Sequence, residues 1–412
     1  MRELAEDQNI LWPGINNYAR PTGGIDGFWK HIISGLRILR YKGEAVLRLV
    51  VDEKIPYYSL IRRINNHYSI TKNTSMKLRN QLPRVSFIIA TLNAAHILSR
   101  CLMAIKNQNY PQSKVEIIIS DGGSTDNTVK IAKKYYAKVI NNPEVLHEHG
   151  KSRAAKIARG DILFYTDADN VLAHQNWLNL MVRPYMDNPK VMGFLPQTIP
   201  APDSNAIDRY LGYLFTDPLT WFIYYPAANP MDYDNVYTPI VKTKTYTLYK
   251  FPKDNYPLFG LSQGVGTHKD YKRDSSVRAD DLLAGIKLIE YGGLVAYVPE
   301  AGVYHYHVTG FSNFMRKYSW RIKNNFTQEI KGMGLVNRLK FFPPQKKLRM
   351  YLFLPYAFSL VFPIVDAIRL SVKYRDLVMF WHIPMSFVMA IIIAKEAGTR
   401  ALGIHTRLTN YS

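Results

Sequence analysis

The sequence predicts an α/β protein with a parallel sheet, followed by a C-terminal pair of membrane-crossing helices. Three observations predict it. Short β-rich runs at Val85–Ala90, Val115–Ile119 and Asp161–Tyr165 alternate with helical patterns. Each run closes on polar or acidic residues, namely Thr91-Leu92-Asn93, Ser120-Asp121-Gly122-Gly123 and Thr166-Asp167-Ala168-Asp169. Near the end of the chain, Met350–Val372 and Leu377–Ala394 are long apolar stretches, of the length read as membrane spans.

Taken in order, Val85–Ala90 is the first strand, and Ile97, Leu98, Leu102 and Ile105 mark one face of the helix after it. Val115–Ile119 is the second strand. Its Gly122-Gly123 pair makes a tight turn, and the Ser/Thr/Asp/Asn run to Thr128 caps a helix reaching about Tyr136. Ala137–Ile140 is a brief third strand, Gly150–Ala158 a basic helix and Asp161–Tyr165 the fourth strand. Strands and helices alternating at this spacing imply a parallel sheet with ligands outside the strand carboxyl ends. Asn93, Asp121, Asp167 and Asp169 all fall there and are expected to converge on one crevice.

A strand ending in two carboxylates one residue apart suits a hard divalent cation, Mn²⁺ or Mg²⁺, that also carries substrate phosphates. A solvated strand-end turn with a helix cap uses the same residues. Lys151 and Arg153, on the helix beginning at Gly150, reach toward phosphates or form a solvated basic face. Further on, Val303-Tyr304-His305-Tyr306-His307 alternates as a strand would, putting both histidines on one side.

The ordered segments Val85–Asn93, Ser120–Thr128, Gly160–Asp169, Arg278–Leu282 and Gly292–Ala301 together resemble a family 2 glycosyltransferase with the GT-A nucleotide-sugar-binding, Rossmann-like fold. The resemblance covers roughly residues 84–325. It implies that Thr91, Asn93, Asp121, Lys151, Asp167 and Asp169 hold a nucleotide sugar, with Asp121 on the base and Asp167 beside ribose and metal. It implies a metal held by Asp169, with Asp167 and His305 as further ligands; a hydrogen-bonded core histidine is the alternative for His305. Asp281 matches the general base, although a helix N-cap explains it too. Asp280 stands beside it where the family more often has Glu. Phe314–Arg321 is similar to the Gln-x-x-Arg-Trp motif of cellulose-synthase-like members, making Trp320 an acceptor platform, but Ser319 stands where Arg is expected. That departure argues against processive polymer synthesis.

The chain has 412 residues, 47% of them hydrophobic, with 53 Lys and Arg against 32 Asp and Glu, a net charge of +21. Such a balance calls for a negatively charged partner: nucleic acid, anionic lipid or a phosphorylated substrate. The single cysteine, Cys101, excludes an internal disulfide and reads as a small core residue. The N-terminus lacks a basic start followed by an apolar core, so no secretory signal is expected. The cations are spread through membrane-flanking segments rather than gathered in one module, so a nucleic-acid-binding membrane protein is the remote alternative.

The expected organisation is a basic N-terminal region (1–80), a GT-A domain (81–325), an interface helix (326–348), a two-helix transmembrane region (349–400) and a tail (401–412). Phe28, Ile32, Leu36 and Leu39 at helical spacing, with Lys30, Arg37 and Arg40 around the turn, predict an amphipathic interface helix. Leu335–Phe342 predicts another; packing on the catalytic domain is the alternative for both. Asp366 and Arg369, three apart, are placed to pair within the first span. Lys373–Asp376 makes the hairpin turn. Lys346, Lys347, Arg349, Lys395 and Arg400 put both outer ends in the cytoplasm. The aromatic-rich stretch 209–260 is expected to line an acceptor groove or mark a membrane interface. The whole predicts an integral cell-membrane enzyme with its catalytic domain cytoplasmic. It would move a sugar, by resemblance to archaeal-type lipid-pathway mannosyltransferases mannose from GDP-mannose, to a lipid-linked saccharide or polyprenyl phosphate. A UDP-sugar-dependent polysaccharide synthase-like transferase is the alternative, because these residues do not choose between guanine and uracil.

Overall fold

The structure, a computed structural model, describes residues 36–41, 44–49, 82–271, 280–331, 333–404 and 407–408. The chain divides into two units, Met1–Gln81 and Leu82–Ser412. In the first, β1 (Leu36–Tyr41) pairs antiparallel with β2 (Glu44–Leu49) in the register Leu36↔Leu49. The amphipathic helix expected over this stretch is therefore corrected from Leu36 onward, and Phe28, Lys30 and Ile32 lie outside the described residues. The two runs lie two residues apart across Lys42-Gly43, a spacing and composition that favour a hairpin over continued helix.

The second unit begins with β3 (Val85–Thr91), α1 (Ala95–Lys106), β4 (Val115–Asp121), α2 (Thr128–Lys134), β5 (Lys138–Asn141), α3 (His147–Ile157) and β6 (Ile162–Asp167). These strands are parallel, in the order β5-β4-β3-β6. Thr91 sits opposite Asp121 and Ala90 opposite Asp167, so the three strand ends are level. Then follow β7 (Asn170–Leu172), α4 (Trp177–Asp187), β8 (Val191–Ile199), α5 (Ala206–Leu214), α6 (Pro218–Tyr224), β9 (Val241–Lys242), β10 (Thr247–Tyr249) and β11 (Val265–His268). After α7 (Asp281–Glu290) comes the long β12 (Leu294–His305). The full sheet has ten strands, ordered β5-β4-β3-β6-β11-β8-β12-β10-β9, with β7 paired to β12. It is mixed rather than wholly parallel, because β11 runs antiparallel between β6 and β8.

Neighbouring residues of one strand feed opposite faces, as the strand period requires. Phe87, Phe164 and Trp177 pack into the core on one side; Ile88, Ile118, Leu163 and Tyr165 pack on the other. Burial on both faces explains why the central strands read as continuous apolar runs. Cys101 is buried in the first of these cores, as its sequence context implied.

Beyond the sheet lie α8 (Phe311–Thr327), a 3-10 turn at Leu335–Phe341, α9 (Pro344–Phe358), α10 (Val361–Tyr374), a 3-10 turn at Leu377–Trp381 and α11 (His382–Ala401). Leu377–Ala401 is long and apolar enough to cross a membrane. The other expected span, Met350–Val372, is broken: it comprises parts of α9 and α10, bent by 96°. The break falls at Ser359-Leu360, where Leu360 takes φ +56° and starts a new helix. Asp366 and Arg369 do pair, at 3.5 Å. The aromatic stretch lines no groove at Tyr210, Trp221 and Tyr224. All three are buried in a third core that joins α5 and α6 to α8–α11, where large rings bury much apolar area.

Candidate active site

At the end of β4, the Asp121 carboxylate accepts from Thr91 Oγ1 (2.9 Å), Ser124 Oγ (2.6 Å), Gly123 N (3.0 Å) and Ser124 N (2.8 Å). Four bonds use the acceptor capacity of a carboxylate. Asp121 therefore ties down the 122–125 turn, where Gly123 takes φ +92°, and a base contact must share one of these oxygens. Asn93, exposed and at φ +49°, accepts from Thr125 N at 2.9 Å on the same turn.

One strand over, Asp167 and Asp169 close β6. Asp167 Oδ1 lies 2.8 Å from Lys151 Nζ, which also donates to Glu148 Oε1 at 3.0 Å. The Lys151 side chain is only 2% exposed. Burial works against its charge, but Asp167, Glu148 and Asp281 outweigh that and hold its pKa above the usual lysine value. Lys151 is thus neither open to phosphate nor on a solvated face, which corrects both sequence readings: its partners on α3 and β6 draw it inward. Arg153 stays half-exposed beside Glu144, at 3.9 Å.

Asp169 keeps 30% of its side-chain surface. Asn170 Nδ2 donates to its Oδ1 at 3.2 Å, and His305 Nε2 stands 3.6 Å from its Oδ2. The meeting follows from the sheet: β7 pairs with the end of β12, His305 opposite Asn170, and Tyr306 N donates to Asp169 O at 3.0 Å. Burial works against charge on both groups. Even so, Asp169 is held below the usual carboxylate range by His305 and Lys317, and His305 is raised by Asp169 and Asp167. His307, 4.9 Å from His305 ring to ring, is half-buried against Tyr318, and desolvation there depresses its pKa.

The acidic pair at α7 is divided by local geometry. Asp280 is the N-cap, accepting from Leu282 N (2.9 Å) and Leu283 N (3.1 Å), and is buried against Arg338 at 2.9 Å. The catalytic role expected of Asp280 is corrected to a structural one, because the cap and Arg338 occupy its carboxylate. With the cap position filled, Asp281 stands on the first helical turn, where Ser262 Oγ donates to its Oδ2 at 2.9 Å. The carboxylate sits close against Gly260: a Cβ at that position would meet Asp281 Oδ2 at 2.9 Å, so a larger residue would displace it. The same loop reaches β6 and the end of β12. Gly264 N donates to Tyr165 O at 2.8 Å, and the Gln263 side-chain amide lies 3.2 Å from His305 Nδ1.

Ser262 and Gln263 were not singled out from sequence; the glycines at 260 and 264 bracketing a polar pair were the available signal. Lys317 was also missed. It projects from α8, whose Phe314, Tyr318 and Ile322 are buried at helical spacing, and its pKa is lowered by burial although Asp169 opposes that shift. Trp320, half-buried, lies three residues along the same helix.

Among the described residues no three His, Cys, Asp or Glu side chains form a closed cation cage. The donors present do fit an ion such as Mn²⁺ or Mg²⁺, which takes one or two protein carboxylates and completes its shell with phosphate oxygens and water. Asp169, part-exposed and acidic, is that kind of ligand.

Residues 86–248 match the family described as Glycosyl transferase family 2. The chain carries a family 2 glycosyltransferase domain. The chain is 34% identical over 108 residues to glycosyltransferase AglE of Haloferax volcanii, covering 24% of this chain and 35% of that protein. It is 24% identical over 239 residues to the O-antigen chain rhamnosyltransferase RfbN of Salmonella typhimurium, covering 54% of this chain and 67% of that one. Among solved structures, a mannosyltransferase from Pyrobaculum calidifontis, in complex with GDP-Man and Mn²⁺, is similar at TM-score 0.44 and 16% identity. That likeness covers 79% of this chain and 89% of that one. The match to AglE spans about a third of its length, and the family 2 match ends before Asp281, α8 and the C-terminal helices.

Proposed function

We propose that this protein transfers a sugar from a nucleotide diphosphate donor to a hydroxyl or phosphate of a membrane-borne acceptor, with inversion at the anomeric carbon. The observation that carries the reading is the single loop 260–264, which bonds Asp281 through Ser262 and His305 through Gln263. The assigned base and the assigned cation-and-diphosphate end are thereby held on one frame.

Asp169 would hold the ion, with His305 and Asp167 beside it. When bound, the ion supplies charge neutralisation to the departing diphosphate. The remaining steps belong to the chain's own residues. Asp281 takes the proton of the acceptor hydroxyl as its oxygen bonds the anomeric carbon and the bond to the diphosphate breaks. Ser262 orients the carboxylate, whose oxygens retain lone pairs for the incoming proton. Lys151 holds Asp167 in place. Asp121, Thr91 and Asn93 shape the turn that would receive the base and ribose, and Trp320 would face the acceptor.

GDP-mannose is the donor we favour, on the resemblance to lipid-pathway mannosyltransferases, and a lipid-linked saccharide or polyprenyl phosphate is the favoured acceptor class. A thermal-shift panel of GDP, UDP and their sugars, each with and without Mn²⁺, tests the donor, since a ligand of the folded state raises the midpoint by mass action. A shift with GDP-mannose that needs Mn²⁺ is expected. A UDP-sugar response alone would replace the donor, and no response to any nucleotide would remove the transferase reading.

A further inference from the structure

The C-terminal helices are expected from sequence to cross a membrane as a hairpin, but two structural observations argue for another arrangement. The first is where α11 lies. At its start, His382 bonds Tyr210 of α5 and Tyr356 of α9, each at 2.8 Å, and the ring of Trp381 lies 6.4 Å from Phe311 at the start of α8. Past its end, Leu408 N donates to Glu329 Oε1 at 2.7 Å and Arg407 O accepts from Lys323 Nζ, both beside the end of α8. The first half of α11 is therefore packed against the start of α8, and the segment past its end returns to the end of α8. His382, Met385, Ser386, Met389 and Ala390 form the buried face of α11, in the same core as Phe314, Tyr318 and Ile322 of α8.

Twenty residues of helix are about 30 Å long, the thickness of a bilayer's hydrocarbon. If α11 crossed it, α8 would cross with it, carrying Arg316, Lys317, Arg321 and Lys323 into the hydrocarbon. Each such cation costs roughly 2.5–3.5 kcal/mol at the centre of a helix span by insertion measurements. Lys317 also donates to His307 O, two residues from His305.

The second observation is the bend. Neither α9 nor α10 is long enough alone: at 1.5 Å per residue each reaches only about 20 Å. Their 96° corner nevertheless presents an apolar tip. Val361 is 62% exposed, Phe362 59% and Val365 46%, with Phe358, Leu360 and Ile364 exposed around them. Cations stand back from the tip on both arms: Lys347, exposed, on α9, and on α10 Arg369 and Lys373, which are also exposed and pair with Asp366 and Asp232. An apolar tip with basic shoulders complements one leaflet of an anionic bilayer, with the tip in the acyl region and the shoulders at the headgroups.

We propose that α9, α10 and α11 form a monotopic anchor: the α9–α10 corner dips into a single leaflet of an anionic bilayer, while α11 lies along α8 on the side it entered from. The anchor deepens the membrane-acceptor reading above and rests on it. It also explains how the site stays beside lipid headgroups without a channel.

The test uses the full chain in a C101S background, reconstituted into vesicles containing phosphatidylglycerol. Single cysteines at Leu402 and, as a marker of the catalytic domain, Lys134 are labelled with an impermeant maleimide. Labelling of Leu402→Cys in the same intact vesicles as Lys134→Cys is the expected result. Labelling of Leu402→Cys only after permeabilisation would show α11 crossing and overturn the anchor while leaving the membrane reading in place. In flotation, V361E/F362E is expected to lower the vesicle-bound fraction about tenfold while keeping the Mn²⁺-nucleotide thermal shift. Unchanged flotation of V361E/F362E would overturn the role of the corner. If the parent protein does not float with any vesicle, the membrane reading and the anchor fall together.

Discussion

Ser262 Oγ donates to Asp281 Oδ2 at 2.9 Å, and this bond sets the direction of the carboxylate assigned as the base. Asp281→Asn keeps the shape and removes the proton acceptor, so turnover is expected to fall by about 10²–10⁴-fold, the usual contribution of general base catalysis. Ser262→Ala is expected to cost roughly fivefold, in keeping with one hydrogen bond of about 1 kcal/mol. Steady-state rates with the donor found by thermal shift check both, and donor affinity should hold in each variant. An Asp281→Asn enzyme as fast as the parent would remove the assignment.

Asp169 has a different signature. Asp169→Asn leaves the protein folded but removes the anionic ligand, so the Mn²⁺-dependent part of nucleotide stabilisation should vanish. In the parent protein that part reaches about 2.7 kcal/mol with ligand at a hundred times its Kd. Titrating Mn²⁺ at fixed nucleoside diphosphate and following the melting midpoint makes the comparison. A full Mn²⁺ response in the variant would move the ion elsewhere.

Asp280 is expected to matter for stability and not for chemistry. Asp280→Ala strips the cap of α7 and leaves Arg338 buried without its 2.9 Å partner. Breaking a buried pair on one side costs about 3–5 kcal/mol, with about 1 kcal/mol more for the cap. Urea unfolding should show this loss, while the rate per folded molecule stays near the parent value. A stable but inactive Asp280→Ala protein would return the residue to the catalytic set.

Asp208 makes a pH prediction. It is buried beneath the turn after β12 and accepts from His307 N and Val308 N, both at 2.9 Å. Burial raises its pKa above the ordinary 3.8, more than those bonds lower it. The folded protein therefore keeps this proton at pH values where the unfolded chain has released it. The contribution to stability is complete below the unfolded pKa and is lost as pH rises through the higher folded one. Asp208→Asn retains an acceptor oxygen without the charge. Its stability should not decline over that interval, as urea midpoints taken upward from about pH 4 would show. A decline equal to the parent's would place the titration in another group.

Much of the catalytic layer was legible because its signals are local. Alternating apolar runs place β3, β4 and β6, and polar strand ends place Asn93, Asp121, Asp167 and Asp169 along one edge of a sheet. The register Thr91↔Asp121 and Ala90↔Asp167 is the geometry those runs imply. Three features were not legible. The antiparallel β11 is only four residues long, too short for its period to stand out. The choice between Asp280 and Asp281 turned on which carboxylate capped α7, and Arg338, far along the chain, decides that by burying one of them. Lys151 looked like a surface cation because its spacing on α3 says nothing of Asp167 on another strand.

Composition and periodicity, acting through neighbours in the chain, settle which segments become strands and helices and which ends carry acid. The contacts that join distant segments are a property of packing, and packing alone paired His305 with Asp169, withdrew Lys151 from solvent and bent Met350–Val372 into a corner. Hydropathy marks a segment as apolar without naming what covers it, and so the relation of α11 to α8, on which the proposed membrane geometry turns, had to come from three dimensions.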